Sequence, residues 1–106
     1  MSWSENPSTD DDGNDLIYLT HPDLGDIEIY IDPQPHDLET WVSVQHTDED
    51  LDALRPLYRK LSGCDPDEIV DLELIDDPAQ IIFTVYGVEQ GPENDDLTDL
   101  LTASLL

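Results

Sequence analysis

Eight consecutive residues without a charge, Ile81-Ile82-Phe83-Thr84-Val85-Tyr86-Gly87-Val88, constrain this chain most. β-Branched and aromatic side chains dominate the run, and such side chains suit a pleated, packed surface. Pro78 precedes it and Gly91-Pro92 comes after it, which favours a buried strand over a helix. Ile81, Phe83 and Val85 fall on one face; Ile82, Thr84 and Tyr86 fall on the other. A strand with apolar groups on both sides is expected at the centre of a sheet.

The remaining elements are read around that strand. Met1 to Asn14 is polar and acidic, too poor in apolar surface to offset ordering, and is expected to be a disordered acidic tail (1–14). Trp3 is its one large apolar group and is expected to be mobile. A single domain (15–106) completes the chain. Leu16 to Thr20 predicts a strand, and His21-Pro22-Asp23-Leu24-Gly25 a turn. Asp26 to Asp32 alternates strictly, with Ile27, Ile29 and Ile31 on one side and Asp26, Glu28, Tyr30 and Asp32 on the other. After the loop at Asp32-Pro33-Gln34-Pro35-His36, where two prolines exclude regular pairing, Leu38 to His46 predicts a third strand. Thr47 can cap a helix whose stripe is Leu51, Leu54, Tyr58 and Leu61. Pro56 should kink that helix or restart it, and Gly63 should end it. Asp65-Pro66-Asp67-Glu68 predicts one further helical turn at most. Ile69 to Ile75 predicts a strand with Val70, Leu72 and Leu74 inward and Asp71 and Glu73 outward. Asp76-Asp77-Pro78 turns into the uncharged strand. Asn94 can cap a last helix bearing Leu97, Leu100, Leu101 and Leu105. The expected fold is α+β, a five-stranded, mostly antiparallel sheet in the order β-β-β-α-β-β-α, with helices packed on one face.

Charge sets the limits on function. The 106 residues hold 27 acids against three cations, a formal net charge of −24. Self-repulsion on that scale opposes compaction and favours solubility. Direct binding to nucleic acid or to an anionic membrane is excluded, because those surfaces need Lys and Arg. Loosely bound cations are expected instead. Salt adaptation is one source of such acidity and a functional acidic face is another. The scarcity of arginine and the three alanines, at 53, 79 and 103, weigh against the first. Cys64 is the only cysteine, so no internal disulfide can form. No signal peptide or apolar run of membrane-spanning length is seen, so a soluble, cytoplasmic protein is expected.

Catalytic and cofactor chemistry finds little support. His21, His36 and His46 show no zinc-ligand spacing among themselves or with Cys64. Asp10, Asp12 and Asn14 alternate like the start of a calcium loop, but the glycine falls at 13 and no closing Glu is present. No nucleophile elbow or phosphate-binding loop is seen. The expectation is a non-enzymatic protein without cofactor or metal.

What remains is the acidic surface. Asp26, Glu28, Tyr30 and Asp32 along one strand, with Asp71 and Glu73 along another, are the candidate partner-binding residues. Alternate residues of a strand are about 6.7 Å apart, against one charge per about 3.4 Å along each strand of duplex DNA. Such rows can stand in for phosphates before a basic cleft. The sequence is therefore read as an acidic protein-protein interaction domain, a candidate nucleic-acid mimic or inhibitor. Its expected partner is a basic protein surface, plausibly of a nucleic-acid-handling protein. The alternative is a small domain of a halophilic organism whose acidity is salt adaptation. The twelve residues His21 to Asp32 resemble the opening hairpin of small acidic phage proteins that block type I-F CRISPR surveillance complexes by occupying a DNA-binding cleft. The resemblance stops before the helix and the second hairpin.

Overall fold

The computed structural model describes residues 3–9, 11–13, 15–34, 39–64, 67, 69–86 and 95–106. It is α+β: one antiparallel sheet with two helices. The strands are β1 (Ser4–Thr9), β2 (Asp15–Thr20), β3 (Ile27–Gln34), β4 (Glu39–His46), β5 (Val70–Asp76) and β6 (Ala79–Tyr86). Helix α1 (Leu51–Ser62) joins β4 to β5, and α2 (Asp95–Leu105) comes after β6. The spatial order is β1-β2-β3-β4-β6-β5. None of the described helices is long and apolar enough to cross a membrane.

The sheet has six strands where residue patterns predict five. The additional one is β1, which lies inside the segment expected to be disordered. It pairs antiparallel with β2 from Ser4↔Thr20 to Thr9↔Asp15. Composition underestimates such a strand because an edge strand is held by main-chain hydrogen bonds, which do not depend on side-chain polarity. Pro7 is tolerable there, since an edge strand needs only one ladder. Trp3 is not mobile. It packs against the core, meets His21 edge-on with ring centroids 5.0 Å apart, and donates from Nε1 to Thr102 Oγ1 at 2.9 Å.

The core lies between one sheet face and the two helices. Ile27, Ile29 and Ile31 of β3, Val42 and Val44 of β4, and Ile81, Phe83 and Val85 of β6 are all buried on it. Leu54, Leu57 and Leu61 of α1 and Leu101 and Leu105 of α2 close over them. The uncharged run is thus an interior strand, but β3 and β4 hold the middle of the sheet. Gly87 and Val88 lie outside the described residues.

Helix α1 starts later than expected. Asp50, not Thr47, is its N-cap, and Oδ1 of Asp50 accepts the backbone N–H of Asp52 at 3.0 Å. Thr47 is engaged elsewhere: its N–H donates to the Asp26 carbonyl at 3.0 Å, prolonging the β3–β4 pairing. Glu49, at φ 54°, then turns the chain into the helix. Pro56 neither ends nor restarts α1, which is one element from Leu51 to Ser62. Its exposed position lets flanking packing at Leu54 and Leu57 hold the helix across the missing donor. The buried stripe is Leu54, Leu57 and Leu61, with Leu51 and Tyr58 half-buried. Gly63 caps the end in a right-handed conformation. Lys60 Nζ donates to the Leu105 carbonyl at 3.2 Å, placing a cation at the C-terminal end of α2.

Strand β5 departs from its expected alternation. Its register shifts between Val70 and Glu73, and Asp71 takes φ 56°. A bulge of this kind inserts an unmatched residue and re-aims its neighbours, and aspartate tolerates positive φ better than most residues. Leu72 and Leu74 still pack against the core, but Val70 pairs with Thr84 and so leaves the inner face. The expectations for His36, for Asp10 and Asn14, for Leu97 and for the turn at Pro66 fall outside the described residues or side chains.

Candidate binding face

The helices cover one face of the sheet, and the register defines the other. Residues directly opposite in an antiparallel ladder point the same way. One row across the outer face is therefore Tyr18, Tyr30, Ser43, Ile82 and Glu73, running through β2, β3, β4, β6 and β5. The next row holds Asp32, Trp41, Thr84 and Val70. A third holds Glu28, Gln45, Gln80 and Ile75.

The expected partner-binding residues divide accordingly. Glu28, Tyr30 and Asp32 share the outer side of β3, and Asp71 and Glu73 lie on β5. β4 and β6 separate the two groups, a distance of three strand spacings or roughly 14 Å. The acids therefore form two rims, not one continuous sheet of charge. The strip between them carries one acid, Glu39 of β4, and is otherwise uncharged and knitted together: Ser43 Oγ donates to Gln80 Oε1 and Gln45 Nε2 donates to Ser43 Oγ, both at 3.0 Å. A shallow depression of about 690 Å³ opens over this strip, lined among others by Tyr30, Asp32, Glu39, Trp41, Asp71, Ile82 and Thr84.

Asp26 stands apart. It sits at the sheet end with His46 and Asp48, the three offering ligand atoms within 4.8 Å of one another. His46 Nδ1 accepts the Asp48 N–H at 3.1 Å, which puts the proton of the neutral ring on Nε2 and leaves neither nitrogen a spare lone pair. His21 is a buried turn histidine whose Nδ1 accepts the Asp23 N–H at 3.1 Å. Cys64 Sγ donates to Ser104 Oγ at 3.2 Å, between α1 and α2. His21 and Cys64 thus serve turn geometry and packing.

Sequence reasoning names Tyr30 but misses Trp41 and Tyr86 as aromatic members of the face. Trp41 is 48% exposed and Tyr86 49%, both on the outer side of interior strands. Trp41 Nε1 donates to Glu39 Oε2 at 3.0 Å. The signal is there in the strand parity: Val42 and Val44 face inward, so Trp41 stands on the polar side of an alternating strand. Tyr18 and Tyr30 stack tilted at 5.2 Å, and Tyr30 Oη donates to Glu28 Oε2 at 3.1 Å.

This tyrosine pair is electrostatically marked. Burial, a hydrogen bond to Glu28 and the Glu28 charge push the Tyr18 phenol up to about 12. Burial and the same carboxylate raise Tyr30. Both shifts favour the protonated phenol in the folded state. Their stabilising effect is complete below the ordinary tyrosine value and is lost as pH rises toward about 12. Phenolate absorbance should therefore show Tyr18 titrating late, and Glu28→Gln should move its midpoint back toward the ordinary range. An unchanged midpoint in that variant would remove Glu28 as a cause.

No family model, no curated protein and no solved structure matches this chain. The resemblance of the His21–Asp32 stretch gains no support from them.

Proposed function

We propose that this protein is a non-enzymatic binding domain that docks the acid-rimmed sheet face, left open by both helices among the described residues, onto a basic surface of a partner protein, one that handles nucleic acid. The observation that carries this reading is the separation of charge. All three cations of the chain, Arg55, Arg59 and Lys60, lie on α1, which packs on the opposite face. Glu28, Asp32, Glu39, Asp71 and Glu73 therefore share the outer face with no Lys or Arg. An anionic surface without internal neutralisation steers a cationic partner and rejects anionic ones. Surfaces that bind nucleic acid are the common cationic targets of this kind, since they are built to hold rows of phosphates.

The test compares two variants of equal charge. In one, Glu28→Gln, Asp32→Asn, Asp71→Asn and Glu73→Gln neutralise the face. In the other, Asp11, Asp48, Asp76 and Asp99, all exposed elsewhere, become Asn. Affinity for a basic peptide carrying equal Arg and Lys should fall roughly tenfold or more in the first and little in the second. Equal losses would mean that net charge alone drives binding and that the face has no special role.

Salt adaptation is the second reading. It is favoured by exposed acids away from the face, among them Asp48, Glu49, Asp50 and Asp52 before and within the first turn of α1.

A further inference from the structure

We propose that the depression around Trp41 is an arginine-reading subsite, taking a guanidinium from the partner in preference to a lysine ammonium. This inference rests on the docking reading above and specifies what the face recognises. Trp41 lies on interior strand β4 with nearly half its surface open. Its indole N–H is held by Glu39 at 3.0 Å, which fixes the ring's edge along the strand. Asp32 is its direct cross-strand neighbour on β3, Thr84 its neighbour on β6, and Asp71 lines the same depression from β5. An aromatic platform thus has one carboxylate on its own strand and one on the β3 side, with a third lining the depression from two strands away.

That chemistry distinguishes the two cations. A guanidinium is planar and weakly hydrated, stacks on an indole, and can fork to a carboxylate at the same time. An ammonium is a hydrated point charge that satisfies the carboxylates without needing the ring. A second copy of this chain is a poor occupant, because each copy brings a net charge of −24 to the contact.

The experiment uses two labelled peptides of equal length, alternating Arg-Ser in one and Lys-Ser in the other, with binding followed by fluorescence anisotropy on the full chain. Wild type should bind the Arg peptide about tenfold tighter. Trp41→Leu should bring the two affinities together while leaving their salt dependence in place. Trp41→Phe, which keeps a weaker aromatic face, should retain part of the preference. Circular dichroism confirms that the variants fold. Equal binding of both peptides by wild type, or a preference that survives Trp41→Leu, overturns the subsite and leaves the docking reading standing. Binding of neither peptide overturns both.

Discussion

Replacing Leu54 with alanine should lower stability by about 3–4 kcal/mol. Leu54 is completely buried at the centre of the α1 stripe, against the inner side of the sheet. The deletion removes transfer free energy and leaves a cavity that a close-packed interior fills only in part. A domain of this size is stable by only about 5–15 kcal/mol, so the loss is a large fraction of the total. Urea unfolding should show a lower midpoint with an unchanged slope. Leu54→Met, which nearly conserves volume, should cost less than about 1.5 kcal/mol. A loss below about 1 kcal/mol for the alanine variant would mean that α1 does not cover the sheet as the structure has it.

Added salt should raise stability, by several kcal/mol on the order of magnitude, between about 0.01 M and 1 M. The reason is geometric. The folded chain confines its charge of −24 within a radius of gyration of 12.8 Å, whereas an unfolded chain of this length spreads to about 33 Å. At 0.01 M the Debye length is about 30 Å, so acids repel across the whole molecule; at 1 M it is about 3 Å, and only adjacent charges interact. Screening also weakens the exposed Asp52–Arg55 pair at 3.1 Å, but such a pair contributes well under about 1 kcal/mol. Thermal unfolding in a salt series measures this directly. Peptide binding should respond in the opposite direction and weaken with salt. The low-salt end separates the two functional readings: salt adaptation requires the fold to be lost there, and a docking face requires it to persist.

Much of the architecture is legible in residue patterns, and the failures share a cause. β3 is clear because Ile27, Ile29 and Ile31 alternate with polar residues without a break. β6 is clear because nothing in it is charged. β1 escapes notice because its order depends on β2 and on Trp3 reaching Thr102, nearly a hundred positions away in the chain. The start of α1 is misplaced because Thr47 and Asp50 are both competent caps, and a backbone bond to Asp26 decides between them. The β5 bulge is invisible because local alternation continues straight through it. The candidate face shows the same division. Its acid rims come from strand parity alone, whereas the mostly uncharged strip between them and its exposed indole require the strand order β3-β4-β6-β5. Parity groups Asp26 with Glu28 and Asp32, yet the strand ends there and its side chain joins His46 and Asp48.

The two sheet edges bear on behaviour in concentrated solution. An unprotected outermost strand is a template for unlimited growth by recruiting further chains. Here one boundary is a short polar strand interrupted by proline, and the other is bent at Asp71 and flanked by carboxylates. Neither offers a straight apolar ladder to a newcomer, so edge-to-edge growth is disfavoured at both boundaries.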